Sequence, residues 1–151
     1  MKTVSRVEEL SLAWTQIDDT GMAHLATLEH LEGLSLMGTK VCGPGLRHLT
    51  GLKKLQGLSL AHTLVDDSGL DVLAMLPQLR HLSLTGTRVT AEGLLKLRTL
   101  SKLECLLVSN MRLTEGEYER LVAVLPSDCE IRWDRPKKTD KANSENRSIA
   151  L

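Results

Sequence analysis

The sequence repeats every 24 residues, and this period constrains the fold more than any other feature. Aligned at this spacing, an apolar residue recurs at several positions in five successive units. Three of these columns are Val7, Leu31, Leu55, Leu79 and Leu103; Leu10, Leu34, Leu58, Leu82 and Leu106; and Leu12, Leu36, Leu60, Leu84 and Val108. A fixed period of this length is typical of solenoids, in which each unit packs only against its neighbours.

Each unit has two halves with different hydrophobic periods. The first half contains LxL, whose alternation predicts a strand with one buried face. The second half reads GLxxLxxL, and its three-residue spacing predicts a short helix. Neither element can bury its apolar side alone, so the units must stack with parallel strands side by side and helices outside. The sequence therefore predicts an α/β solenoid of five strand–helix repeats with a curved parallel sheet.

Polar residues mark the bend and the helix starts within the repeat. A threonine follows the strand in four units, and we expect its hydroxyl to bond nearby backbone at the bend: Thr15, Thr39, Thr63 and Thr87. Helix caps are expected at Asp18, Asp66, Thr90 and Thr114, where Thr114 and Glu117 form a capping box. Cys42 breaks this pattern. The Asp18/Asp19 and Asp66/Asp67 pairs are interpreted as capping groups rather than as a shared cation site.

The two ends of the array differ. Cys129, Ile131 and Trp133 predict a shortened sixth strand, offset by one residue, with Trp133 covering the last core layer. We therefore place the repeat domain at residues 1–133 and predict a disordered polar tail at residues 134–151. Only six residues precede the first strand. Residues 1–6 cover that edge, or the chain is a fragment of a longer array, or two copies associate edge to edge.

The repeat unit, LxxLxLxxTxVxxxGLxxLxxLxx, resembles the leucine-rich-repeat family over residues 7–133. The TxVxDxGLxxL stretch is similar to the cysteine-containing branch found in F-box proteins, with threonine at the bend, a variant common in bacterial proteins. The resemblance implies a non-catalytic protein–protein interaction module that binds a partner protein on the concave sheet face. An alternative is a substrate-recognition adaptor in a ubiquitin-ligase-like or signalling assembly, for which residues 1–151 would have to be a fragment.

The predicted concave face carries mostly small residues and a few large ones. Five strands about 4.8 Å apart make a sheet roughly 20 Å wide, enough for a helix or an extended segment. Glycine and serine let a partner backbone come close, and larger side chains usually anchor binding. The predicted partner-binding residues are Trp14, Met37, His62, His81 and Leu107. The competing interpretation is an idle face with solvent-exposed filler residues.

Catalysis is the weakest of the alternatives. His81 and Cys105 occupy equivalent positions in adjacent units, as a cysteine nucleophile and its base would require. The next position in that row is Gly57, which supplies no third orienting group, and a flat sheet offers no oxyanion hole. Five histidines are scattered over different repeats with no metal-binding spacing, so we expect no metal site and no cofactor.

Charge and cysteine content narrow the partner and the compartment. Nineteen basic residues balance nineteen acidic ones, so neither nucleic acid nor an anionic membrane is an expected partner. Three cysteines without CxxC spacing indicate no disulfide framework, and the charged start does not resemble a signal peptide. We therefore expect a cytoplasmic protein.

Overall fold

Six three-residue strands form a single parallel sheet in the computed structural model, which describes residues 6–135. The strands follow one another in chain order, and each pairs with its sequence neighbours. They are β1 (Glu9–Ser11), β2 (Gly33–Ser35), β3 (Gly57–Ser59), β4 (His81–Ser83), β5 (Cys105–Leu107) and β6 (Glu130–Arg132). The predicted solenoid architecture, including a partial sixth strand, is confirmed.

The register of the sheet follows the 24-residue period. Leu10 lies opposite Leu34, and the equivalent leucines continue through β5 without a slip. The last step is 25 residues, because Cys105 lies opposite Glu130. The predicted one-residue offset of the final strand is therefore confirmed.

A short helix follows each of the first five strands, but its type changes along the array. The first two are 3-10 helices, Gly21–Thr27 and Pro44–Leu49. They are followed by α1 (Asp67–Leu73), by α2 (Ala91–Leu94) with a 3-10 extension at Leu95–Thr99, and by α3 (Glu115–Val124). A 3-10 helix has three residues per turn, so the exact three-residue spacing of Met22 and Leu25 places both against the core. Their spacing suits this tighter helix.

The core lies between the sheet and the helical layer. The inward leucines of β2 to β5 are at most 4% exposed. The apolar residues two positions later in the chain, just past each strand, are equally buried. These are Leu34, Leu58, Leu82 and Leu106, then Leu36, Leu60, Leu84 and Val108. Within residues 6–135, no buried side-chain nitrogen or oxygen lacks a hydrogen-bond partner. The core is therefore almost purely aliphatic.

The threonine ladder bonds the backbone as expected. In each of the four units, Oγ1 donates to the carbonyl oxygen three residues earlier at 2.6–2.7 Å. Thr39 and Thr63 are buried, whereas Thr15 in the first repeat is exposed. The hydroxyls satisfy backbone carbonyls at the bend, so the ladder has a structural role.

Helix caps form at three of the four predicted positions, Asp66, Thr90 and Thr114, whereas the N-cap position of the first helix is Thr20 and Asp18 bonds backbone amides from two residues before it. Asp66 accepts from the Ser68 amide at 3.0 Å, and Asp18 accepts from the backbone amides of Thr20 and Gly21. Thr90 accepts from the Gly93 amide. Thr114 and Glu117 complete the capping box at α3, and the hydrogen bonds that Thr114 donates lower the pKa of the Glu117 carboxyl.

The second aspartate of each Asp–Asp pair, Asp19 and Asp67, accepts a hydrogen bond from a different backbone amide than the one expected. Asp19 accepts from the Cys42 amide at 2.7 Å, and Asp67 accepts from the Thr90 amide at 2.8 Å. Both carboxylates therefore bond a backbone amide just before the helix of the following repeat instead of capping their own helix, which corrects the sequence interpretation. The bond from Asp19 also explains how the second unit starts its helix without a side-chain cap of its own.

An aromatic pair covers the C-terminal end of the core. Trp133 stacks on Tyr118 with 4.8 Å between ring centroids and 17° between the planes. Next to it, the Asn110 amide donates to Asp134 Oδ2 at 2.6 Å, where the preceding repeats use a backbone carbonyl as acceptor. Trp133 thus covers the last layer as predicted. Of the predicted tail, residues 136–151 lie outside the described part of the chain, so the domain boundary stays a prediction.

Candidate binding face of the sheet

The sheet face opposite the helices, called the open face below, carries a groove of about 770 Å³. Residues from all of the first five strands or their flanks line it. On each strand the inward leucine packs on the core, so the residues on either side of it point to the opposite face. The larger groups in the lining include Glu9, Glu32, Met37, His62, His81 and Leu107.

Four of the five predicted contact residues are brought together in this groove. Met37, His62, His81 and Leu107 line it. Trp14 is not part of the lining, but its ring stacks near the groove on His62, with 6.3 Å between centroids and 21° between the planes. Their role in binding stays a prediction, whereas their proximity is a property of the fold.

The turn position three residues after each of the first five strands has a left-handed backbone in every repeat. The φ values are 61° at Trp14, 68° at Gly38, 56° at His62, 66° at Gly86 and 63° at Asn110. Glycine adopts this conformation without steric cost, whereas other residues adopt it at a cost of about 1–2 kcal/mol. The non-glycine residues in this column therefore hold strained conformations at the rim of the groove.

The two rings of this column lie over glycines of the following repeat. The Trp14 ring fills the space that a Gly38 side chain would need, and the His62 ring does the same at Gly86. Trp14 is 67% exposed despite this contact. The alternation of a large residue with glycine in this column was the sequence signal for this arrangement, and sequence reasoning did not use it.

One end of the groove is acidic. Glu9 on β1 and Glu32 beside β2 both line it, and no lysine or arginine is among its lining residues. The Glu9 carboxylate lies where a side chain at Gly33 would be. Sequence reasoning missed both glutamates as site residues, because the neutral total charge hides a local imbalance.

The floor in the middle of the groove consists mostly of small side chains. Gly57, Ser59, Ala61 and Ser83 line it between the acidic end and Leu107. A partner backbone can therefore come close to the sheet at β3 and β4. The geometry favours an elongated occupant over a compact small molecule.

His81 and Cys105 are neighbours in the β4–β5 register, as the sequence predicted. Sequence reasoning looked for a third group only at Gly57 and missed Glu104, whose Oε2 lies 3.8 Å from His81 Nε2. That distance is too long for a hydrogen bond, and Arg80 pairs with the other Glu104 oxygen. The arrangement lacks the geometry of an activated nucleophile, and the Cys/His enzyme stays the weakest hypothesis.

The other two cysteines are poor nucleophiles at neutral pH. Burial, followed by the nearby Cys105, raises the pKa of the Cys129 thiol to about 11. Burial and the adjacent Asp19 carboxylate also raise the pKa of Cys42. Because the thiolate is the reactive species, both side chains stay protonated and unreactive under these conditions.

Two further features concern metal binding and membrane insertion of residues 6–135. In that range, no group of three or more His, Cys, Asp or Glu side chains is arranged to hold a metal ion. No helix in the same range is both long enough and apolar enough to cross a membrane.

The chain is similar to one family model and to several solved structures. A Leucine Rich repeat family model matches residues 7–26 and 77–97. Among solved structures, a leucine-rich-repeat protein of Leptospira interrogans superposes with a TM-score of 0.58 at 21% identity, covering 83% of this chain. Internalin C2 of Listeria monocytogenes gives 0.48 at 19% identity and 91% coverage, and a second internalin of that organism gives 0.49 at 20% and 85%. The first of these likenesses supports the fold.

The chain is shorter than these structures. It spans 36% of the Leptospira protein, 76% of internalin C2 and 47% of the second internalin. No curated protein sequence matches it.

Proposed function

We propose that this chain, whose repeats and fold are similar to those of leucine-rich-repeat proteins, binds another protein through the groove on the open face of its sheet. Proteins with this repeat are typically interaction modules rather than enzymes, and stacked repeats create extended binding surfaces. The proposal takes Trp14, Met37, His62, His81 and Leu107 as contact residues. It assigns no catalytic step to the chain.

The single observation that carries this proposal is the groove itself. It extends across five strands and combines apolar groups, including Met37 and Leu107, with a floor of small residues. An exposed concave surface of this kind is where repeat proteins bind partners, and its large side chains supply most of the binding energy.

Trp14 and Leu107 are the strongest candidate anchors. Trp14 is the most exposed of the large apolar side chains of residues 6–135, and tryptophan is enriched among residues that dominate interfaces. Leu107 lies at the far side of the groove on β5. The two residues therefore test both ends of the proposed contact surface.

Replacing Trp14 and Leu107 together by alanine is expected to abolish partner capture. Loss of one anchor costs about 2 kcal/mol of binding free energy, so the double variant should bind at least about a hundredfold more weakly. The measurement is quantitative affinity capture with the full chain, followed by calorimetric titration of the protein recovered.

The matched control is the Met75→Ala/Val122→Ala variant. Met75 is 65% exposed just after α1 and Val122 is 49% exposed on α3, so these changes remove apolar surface outside the groove. The control should keep the partner. If the groove variant still captured the partner and the control variant did not, the binding site would lie on the helical layer and the proposal would be wrong.

Self-association through β1 stays a prediction. Within residues 6–135, β1 pairs only with β2, and Val7, Leu10 and Leu12 are half-buried. Because Leu12 donates to β2, the alternation along the strand points the Ser11 amide away from the sheet. We expect light scattering after gel filtration to give twice the chain mass at high concentration, and Ser11→Pro, which removes that amide, to give the monomer mass. A monomer mass for the unchanged chain at every concentration would contradict edge-to-edge pairing.

A further inference from the structure

We infer that the groove binds an extended peptide segment with a basic side chain at its β1–β2 end and an apolar side chain at its β5 end. This inference rests on the proposed function and adds the chemistry of the partner. It follows from the charges in the groove, from its length and from the position of its apolar groups.

The charges that line the groove have one sign. Glu9 and Glu32 are carboxylates, and lysine and arginine are absent from the lining. Within residues 6–135, neither Glu9 nor Glu32 forms an ion pair with a basic side chain. By contrast, Arg80 neutralises Glu104 beside the groove. A lysine or arginine of the partner therefore complements the acidic end, and an acidic residue there would be repelled.

The position of the acidic pair is set by packing. The Glu9 side chain leans from β1 across Gly33 on β2, into space that any larger residue at Gly33 would occupy. Glu32 immediately precedes β2 and lines the same end. Both side chains therefore line the same end of the groove, where a lysine or arginine of the partner would meet negative charge.

The far end of the groove is apolar. Leu107 stands on β5 where the four preceding repeats have Ser11, Ser35, Ser59 and Ser83. Its neighbour Cys105 is half-buried and also lines the groove. The serine-to-leucine change gives this end the larger apolar side chain that the middle lacks.

The distance between the acidic end and the apolar end of the groove sets how many residues separate the basic and the apolar residue of the partner. From β2 to β5 there are three strand intervals of about 4.8 Å, or about 14 Å. An extended chain rises about 3.3 Å per residue, so the basic and apolar residues of the partner should lie about four residues apart. The small side chains of Gly57, Ser59 and Ser83 leave room for the partner backbone between them.

The experiment uses three sets of fluorescein-labelled eight-residue peptides and the full chain. The first set has arginine and, four residues later, leucine, with glycine, serine and alanine elsewhere. In the second set glutamate replaces arginine, and in the third set serine replaces leucine. Binding is measured by fluorescence anisotropy at low and high salt.

The first set is expected to bind about tenfold more tightly than the second, and its affinity should fall as salt rises. The Glu9→Gln/Glu32→Gln variant should lose this preference for arginine over glutamate. Leu107→Ala should instead reduce the preference for leucine over serine and leave the arginine preference intact. The matched control, Glu29→Gln/Glu119→Gln, removes two exposed carboxylates outside the groove and should behave as the unchanged chain.

Equal binding of the first two sets, with a loss on Leu107→Ala, would overturn the inferred charge preference and leave the proposed function standing. The same holds if both double glutamine variants reduce binding equally, because the effect would then come from net charge. If none of the three sets binds, the inference fails, and the capture experiment with Trp14 and Leu107 decides separately on the proposed function.

Discussion

Replacing Leu82 by alanine is expected to lower the free energy of unfolding by about 3–4 kcal/mol. Leu82 is 1% exposed and stands at the centre of β4, between Leu58 on β3 and Leu106 on β5. In a stack of repeats, stability is the sum of the repeats and of the contacts between neighbours. A cavity at this position therefore weakens two repeat interfaces at once. Urea unfolding followed by circular dichroism measures the loss.

Leu64→Ala is the matched control for this prediction. Leu64 lies in the preceding repeat, but its side chain is 39% exposed, so the same truncation leaves no closed cavity. We expect a change of about 0.5 kcal/mol or less. Similar losses for the two variants would mean that the inward leucine column does not form the core of the stack.

Replacing Gly38 by alanine should cost about 2–3 kcal/mol of stability, the second largest effect that we expect. Its φ of 68° alone costs an alanine about 1–2 kcal/mol. In addition, the new methyl group would occupy the position of the Trp14 ring, which must move away. Thermal and urea unfolding of the variant measure the combined cost.

A double-mutant cycle separates the two causes. In the Trp14→Ala background the ring is absent, so Gly38→Ala should cost only the backbone part, and the coupling energy should be about 1 kcal/mol. Gly51→Ala is the control, because that position is exposed, has no left-handed φ and meets no atom closer than 4.0 Å. A coupling energy of zero would show that the Trp14 ring does not rest on Gly38.

Much of the candidate site could be predicted from the repeat alone. Because side chains alternate along a strand, a leucine column facing the core places Met37, His81 and Leu107 on or near the opposite face. Their presence in one groove follows from the unbroken register between β1 and β5. Trp14 was predicted as part of the same face, and the structure places it beside the groove, against His62.

The acidic end of the groove could be predicted only in part in this way. Alternation places Glu9 on the open face in the same column as His81, but its reach over Gly33 depends on side-chain packing, and Glu32 lines the groove because the groove extends beyond the strand itself. The proximity of Glu104 to His81 was not predicted either, because Glu104 lies outside the row of equivalent strand positions that was considered. The repeat period predicts where each backbone position lies. It does not predict how far a long side chain reaches into a neighbouring repeat.

The 24-residue period by itself determined the solenoid, its parallel order and the residues of its core, because burying one leucine column requires every neighbouring unit to adopt the same register. Tertiary structure decided which helices are 3-10, that Asp19 and Asp67 bond the next repeat, and where the rings and carboxylates of the open face lie. These features depend on gaps of a few ångströms between adjacent repeats. Such gaps are set by the packing of many side chains together and are not contained in the spacing of any one of them.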